Sequence, residues 1–217
     1  IGNPAGIGLA TQFLGWVAFC EGGERLADAL SLYERATAIY RRIGYGNLLA
    51  MVLGDYALAA VELGKYDAAL RAAQEGLALM EELGHQNLVC YNLNGLGAAA
   101  YGLNDLEASR RYLLRSLQSA HEAQIPDHAG VALLWLARLL VKEGRAGESE
   151  VECIQKETQA LALLAWVIQQ PTTWQPIRDR AQQTQAKLAD SLPPDLIAAA
   201  NEWGEGKTLE EVAAAAL

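Results

Sequence analysis

Gly44, Gly84 and Gln124 stand 40 residues apart, each closing a helical stretch: RATAIYRRIG, EGLALMEELG and RSLQSAHEAQ. A second set, Gly64, Asn104 and Gly144, keeps the same interval and is expected to mark the turns between the two helices of each unit. A fixed period of this length constrains the fold more than any bulk property of the chain. It means one small unit used repeatedly, and stacked because a single unit cannot bury its own apolar face. Glycine just past a helix C-terminus supplies the left-handed conformation that ends the helix.

The stretch 88–117 shows what the unit is. Leu93, Leu96, Ala100 and Leu103 form one helical stripe, Asn104-Asp105 interrupts it, and Leu106, Leu113 and Leu117 begin another. This predicts a helical hairpin, with Gly97 where two backbones come close. The first helices of successive units carry a small residue at one place, Gly15, Ala57, Gly97 and Ala137. A second small site three residues on holds Ala18, Ala60 and Ala100, with Leu140 as the exception. The second helices start near Leu26, Tyr66 and Leu106, with Ala29, Ala69 and Ser109 three residues later. Small residues at matching sites allow short distances between helix axes.

Composition narrows the function classes. At 217 residues and 52% hydrophobic, the chain builds a sizeable core. Its net charge of -9 and lack of a Lys/Arg cluster argue against a nucleic-acid surface. Cys20, Cys90 and Cys153 are dispersed, without a CxxC pair, which fits a reducing, cytoplasmic setting. No apolar run reaches the ~18–20 residues of a membrane span, and no signal peptide opens the chain. The absence of an initial Met points to a piece of a longer polypeptide. His85, His121 and His128 are scattered without metal-ligand spacing, so no metal or cofactor is expected. Gly204-Glu205-Gly206-Lys207-Thr208 ends like a P-loop, but Asn201 stands where the first glycine belongs and a helix precedes it, so a turn and helix cap are expected. Nothing supports an enzyme.

Leu14-Gly15 with Ala18-Phe19, Gly64-Lys65-Tyr66-Asp67-Ala68-Ala69, and Leu96-Gly97 with Ala100-Tyr101 together resemble the tetratricopeptide repeat over roughly residues 9–140. The resemblance implies an all-α right-handed superhelix of helical hairpins. The period is 40 rather than the family's ~34, so each helix is longer, and the usual Pro at the repeat end is missing. Long repeats of this kind resemble the sensor arrays of bacterial STAND-class signal-transduction NTPases and large transcriptional activators. That implies a non-catalytic recognition module holding a protein, peptide or small ligand, with an upstream NTPase module in the same polypeptide. A free-standing adaptor joining two protein partners is the alternative.

The expected layout is a single array over 1–217, with repeats at about 7–44, 45–84, 85–124 and 125–170 and capping helices over 171–217. The turn at Gly22-Gly23-Glu24-Arg25 is two residues longer than the others, and 147–157 reads as an insertion that either extends a helix or loops out. Helices are expected over 173–189 and 195–203, the latter capped by Asp195. A final helix opens with a Thr208–Glu211 capping box. By the resemblance, first helices line a concave groove. The candidates there are Phe13, Trp16, Asp55, Tyr91, Asn94, Tyr101, Trp135 and Arg138, aromatic anchors among a few polar groups.

Overall fold

The computed structural model describes residues 3–216, with the side chain of Asn87 left aside. Among them lie eleven α-helices and no strand, packed as consecutive hairpins in the manner of a tetratricopeptide-like repeat. They are α1 (Pro4–Glu21), α2 (Arg25–Ile43), α3 (Gly46–Glu62), α4 (Tyr66–Glu82), α5 (Cys90–Gly102), α6 (Leu106–Glu122), α7 (Pro126–Ala146), α8 (Glu150–Gln169), α9 (Gln175–Ala189), α10 (Pro194–Gly204) and α11 (Leu209–Ala216). A short 3₁₀ turn, Gln86–Leu88, leads into α5. The chain forms two compact units, 1–119 and 120–217.

The period seen in the sequence is a period of backbone turns. Gly44, Gly64, Gly84, Asn104 and Gln124 all have positive φ, from 56° to 74°. At each, the next residue's N–H reaches five residues back: Tyr45 to Tyr40, Lys65 to Ala60, His85 to Met80, Asp105 to Ala100 and Ile125 to Ala120, at 2.8–3.1 Å. The turn residue itself donates three residues back in every case. This pair of bonds satisfies two of the carbonyls a helix end leaves open. Gln124 tolerates the left-handed conformation partly because its side-chain amide donates to the His121 carbonyl at 2.8 Å.

In the first unit, first and second helices of each hairpin have different jobs. The second helices are one-sided. α2 buries Ala29, Tyr33, Ala36 and Tyr40, and α4 buries Ala69, Ala73, Gly76 and Met80. The first helices α3 and α5 are covered nearly all round: Ala57–Val61 is continuously buried in α3, and Asn92–Ala100 in α5. The small residues expected at the crossings are there. A Cβ on Gly15 would lie 2.8 Å from the Tyr33 ring, and one on Gly97 2.5 Å from Leu113. Ser109 Oγ donates to the Gly97 carbonyl at 2.8 Å across the same crossing. Ala29, Ala69 and Ser109 are all fully buried. Exposed ion pairs join successive second helices: Arg41 holds both Glu75 oxygens at 2.6 Å, and Arg115 holds Glu81 at 2.7 Å.

The second unit is organised around α8, which packs against α7, α9 and α10. Here the sequence reading needs correction. Gly144 is not a turn: α7 runs on to Ala146, and Gly144 is buried where a Cβ would sit 3.3 Å from the Cys153 backbone of α8. The segment 147–157 is helical from Glu150, with Ser149 as N-cap accepting from the Glu152 N–H at 3.3 Å. Arg145 ties it down through buried Glu157 at 2.7 Å. Asp195 does not cap α10; it lies in the first turn of a helix that begins at Pro194, where proline's missing N–H costs nothing. α10 crosses α8 closely, and a Cβ on Gly204 would lie 2.9 Å from the Trp166 backbone nitrogen. The capping box forms as expected: the Thr208 N–H donates to Glu211 at 2.8 Å, and the Glu211 N–H to Thr208 Oγ1 at 3.3 Å. α11 buries Val212 and Ala213, and Trp166 Nε1 donates to the Lys207 carbonyl at 3.0 Å just before it.

Candidate functional site

The polar centre of the first unit lies where α1, α2 and α3 meet. Tyr40 Oη donates to Gln12 Oε1 at 3.1 Å, and Gln12 Nε2 donates to Asp55 Oδ2 at 2.8 Å. Burial pushes the Asp55 carboxyl up to about 6, with the Gln12 bond pulling the other way. The same burial, and the charge of Asp55, raise the phenols of Tyr33 and Tyr40. No ion pair to Asp55 forms among the described residues. The Tyr33 hydroxyl is fully buried and has no hydrogen-bond partner among them. A carboxylate held in a poorly solvated place with a single donor is a strong acceptor for an incoming cation.

The expected groove residues separate into distinct environments. Trp16 is half-buried and stacks on Phe19, ring centroids 5.6 Å apart. Phe13 stands out at 59% exposure. Tyr91 and Tyr101 are half-buried. Asn94 presents no surface: it is fully buried, and its Oδ1 accepts from Ser116 Oγ at 2.9 Å. Ser116 Oγ also lies 3.2 Å from the Cys90 carbonyl, so Asn94 contributes to the α5–α6 hairpin rather than to an open face. In the second unit Trp135 is nearly buried, and the Arg138 guanidinium stacks 4.5 Å from its ring centre. That is a cation–π contact, which holds the arginine over the indole.

Two clefts escaped the sequence reading. One, of 430 Å³, opens between α2, α3 and α4 beside Glu34, Tyr56 and Arg71. The other, of 580 Å³, lies between α8 and α10 and is lined mainly by Ile154, Ala162, Leu163, Leu196 and Trp203. Leu196, Ala199 and Trp203 fall at i, i+3 and i+7, a stripe that could have signalled the second cleft. The first leaves no pattern, because its charged residues come from two separate helices, α2 and α4.

His128 is buried against Trp174, the rings edge-on at 4.8 Å, and burial lowers it to about 3, so it is neutral. No group of three His, Cys, Asp or Glu able to hold a metal occurs among the described residues. No described helix is long and apolar enough to cross a membrane.

With three hairpin helices meeting at Gln12 and Asp55, the comparison with known families falls on the same segment. Residues 12–82 match the tetratricopeptide repeat. The match runs from Gln12 in α1 to Glu82 at the end of α4, and so takes in the whole Tyr40–Gln12–Asp55 chain. No curated protein matches the chain. Tetratricopeptide repeats are non-catalytic modules that generally mediate protein–protein interactions.

Proposed function

We propose that this chain is a non-catalytic protein-recognition module, and that it serves as the sensor part of a larger signalling polypeptide with a nucleotide-hydrolysing module. The observation that carries recognition is the tetratricopeptide match over residues 12–82, with Asp55 at its polar centre and no cation among the described residues to pair with it. Trp16 supplies a half-buried aromatic surface on the helix that also carries Gln12. An aromatic anchor one turn along α1 from Gln12, together with the desolvated carboxylate that Gln12 holds, suits a peptide segment carrying Lys or Arg. The Trp135–Arg138 pair is a separate recognition element in the second unit. Arg138→Lys tests it more cleanly than Trp135→Ala, which would hollow the core.

The test is selection from a displayed library of short peptides against the purified chain. Binders are expected to carry a basic residue, and to weaken by at least ~10-fold with Asp55→Asn or Trp16→Ala. Arg111→Ala, on the exposed side of α6, is expected to leave them unchanged. Binding should fade as pH falls through about 6, where Asp55 takes up its proton. Peptides indifferent to both Asp55 and Trp16 would overturn the assignment.

A further inference from the structure

Successive second helices of the first unit are braced alike. Arg41 of α2 holds Glu75 of α4 at 2.6 Å, and one period on Arg115 of α6 holds Glu81 of α4 at 2.7 Å, the charges exchanged. Beside the braces the two intervals differ. In the later one Tyr112 is half-buried, and the Arg111 guanidinium lies 5.3 Å from its ring centre. Forty residues earlier these two places are held by Ala72 and Arg71. Both line the 430 Å³ cleft between α2, α3 and α4. Where the later interval has an aromatic ring, the earlier one has a hollow, and it keeps the arginine.

The walls of the hollow carry polar groups that the later interval lacks. Thr37 and Tyr56 line it, and their counterparts one period on are Leu77 and Leu96. Thr37 is 6% exposed, and its hydroxyl has no hydrogen-bond partner among the described residues. Other helical threonines donate to the carbonyl four residues back, as Thr11, Thr158 and Thr184 do at 2.7–2.8 Å. A buried hydroxyl left without a partner is costly, and a ligand that supplies one gains accordingly.

Charge narrows the ligand further. Glu34 of α2 and Arg71 of α4 both line the cleft, and neither forms an ion pair with a described residue. Both act on the Tyr56 phenol, which burial raises most, Glu34 raises further and Arg71 lowers. Arg41 and Glu75, on the same walls, neutralise each other. The cleft thus presents one open carboxylate and one open guanidinium beside the apolar Leu53 and Ala72. Its volume falls within the range of small-molecule sites, about 300–1,000 Å³.

We propose that this cleft binds a free aromatic amino acid, with its ring in the place that Tyr112 holds one period on, its carboxylate on Arg71 and its ammonium on Glu34. A guanidinium can present its face to a ring and its edge N–H groups to a carboxylate. A ring hydroxyl would satisfy Thr37. Ammonium and carboxylate occur together only on the free amino acid, which sets it apart from a side chain of a partner protein. The site uses neither Gln12 nor Asp55, so it stands or falls separately from peptide recognition.

Ligand-observed NMR titration of the intact chain with L-tyrosine tests this, with dissociation expected at about 1 mM or below. Tyramine lacks the carboxylate and 3-(4-hydroxyphenyl)propionate lacks the ammonium, so each should bind at least ~10-fold more weakly. Arg71→Gln and Glu34→Gln, both at exposed positions, should each weaken L-tyrosine by at least ~10-fold, and Glu34→Gln should leave the propionate unchanged. Ala72→Tyr supplies the ring from the chain itself, and should abolish binding without lowering the melting temperature. Thr37→Val should erase the preference for L-tyrosine over L-phenylalanine. Arg111→Ala should change nothing. Absence of L-tyrosine binding up to its solubility limit overturns the proposal, as does equal binding of L-leucine. So does N-acetyl-L-tyrosine amide binding as tightly as L-tyrosine, which would give the cleft to a partner's side chain.

Discussion

Both units bury glycine where helices cross, but the crossings differ in what the glycine meets. In the first unit Gly15 and Gly97, each inside a hairpin, meet side chains, Tyr33 and Leu113, whereas Gly54 of α3 meets the Tyr91 carbonyl of the next hairpin at 2.7 Å. In the second, Gly204 meets the backbone of α8 at Trp166, and Gly144 the backbone of the same helix at Cys153. A side chain can turn aside, whereas a helix backbone moves only with its whole helix. Within its hairpins the first unit thus has some give, whereas between hairpins, at Gly54, it has little. The second is built around one long helix that its neighbours touch directly.

The largest expected effect follows from that contrast. Gly204→Leu should destabilise the second unit by about 3 kcal/mol or more, because nothing at the crossing can yield. Gly97→Leu should cost the first unit about 1–3 kcal/mol, since Leu113 can adopt another rotamer. Four of the five tryptophans, Trp135, Trp166, Trp174 and Trp203, lie in the second unit. Tryptophan fluorescence during urea unfolding therefore reads that unit, and far-UV circular dichroism reads both. Equal losses from the two substitutions would erase the distinction.

Removing the chain from Lys207 onward sharpens it. This deletes α11 with its buried Val212 and Ala213, and leaves the Trp166 indole N–H without its carbonyl. A loss of about 2–3 kcal/mol is expected, seen first in fluorescence. A truncated chain with an unchanged fluorescence midpoint would show α11 to be ornamental.

The two units should also respond oppositely to acid. Asp55 in the fold titrates at about 6 rather than 3.8, so between those values the folded form binds the extra proton. The first unit should gain stability as pH falls from 6 toward 4. His128 in the fold titrates at about 3 rather than 6.5, so the unfolded form binds the extra proton. The second unit should lose stability as pH falls from 6.5 toward 3. Urea midpoints across this range should show Asp55→Asn abolishing the gain and His128→Phe reducing the loss. Slopes of the same sign in both units would contradict the burial of one of the two groups.

The smallest effect concerns the ion pairs between second helices. Arg41→Ala and Arg115→Ala should each change stability by about 0–1 kcal/mol, and less in high salt, because both pairs are exposed. A larger, salt-resistant loss would mean that these pairs hold successive hairpins together.

The hairpins of the first unit were legible because one local conformation recurs at fixed spacing. Left-handed turns at Gly44, Gly64 and Gly84 select glycine, and Asn104 is a common substitute. Gly144 misled for the same reason. Glycine serves a turn and a close approach equally well, and only the partner helix decides between them. The extension 147–157 was ambiguous because its helix is held by distant contacts, Arg145 to Glu157 among them. In the candidate site, aromatic and polar residues at first-helix positions were identifiable, but not their directions. Asn94 turned inward because Ser116, 22 residues later, offers it a buried partner. The Tyr40–Gln12–Asp55 chain went unseen because it joins three helices, and no spacing within one helix records it.

The small residues of the first unit have a further consequence, for the order of its parts. Gly76 faces Asn92, Gly95 faces Ala57 and Ala73, and Gly102 faces the Tyr66 ring. One period earlier, the places of Gly95 and Gly102 are held by Asp55 and Glu62. Each hairpin is therefore cut to receive one particular neighbour. A chain of near-copies risks pairing the wrong copies while it folds, or trading them with another molecule. Here a hairpin displaced by one step would bring a carboxylate to a place shaped for a hydrogen atom, which sets a cost on the wrong pairing.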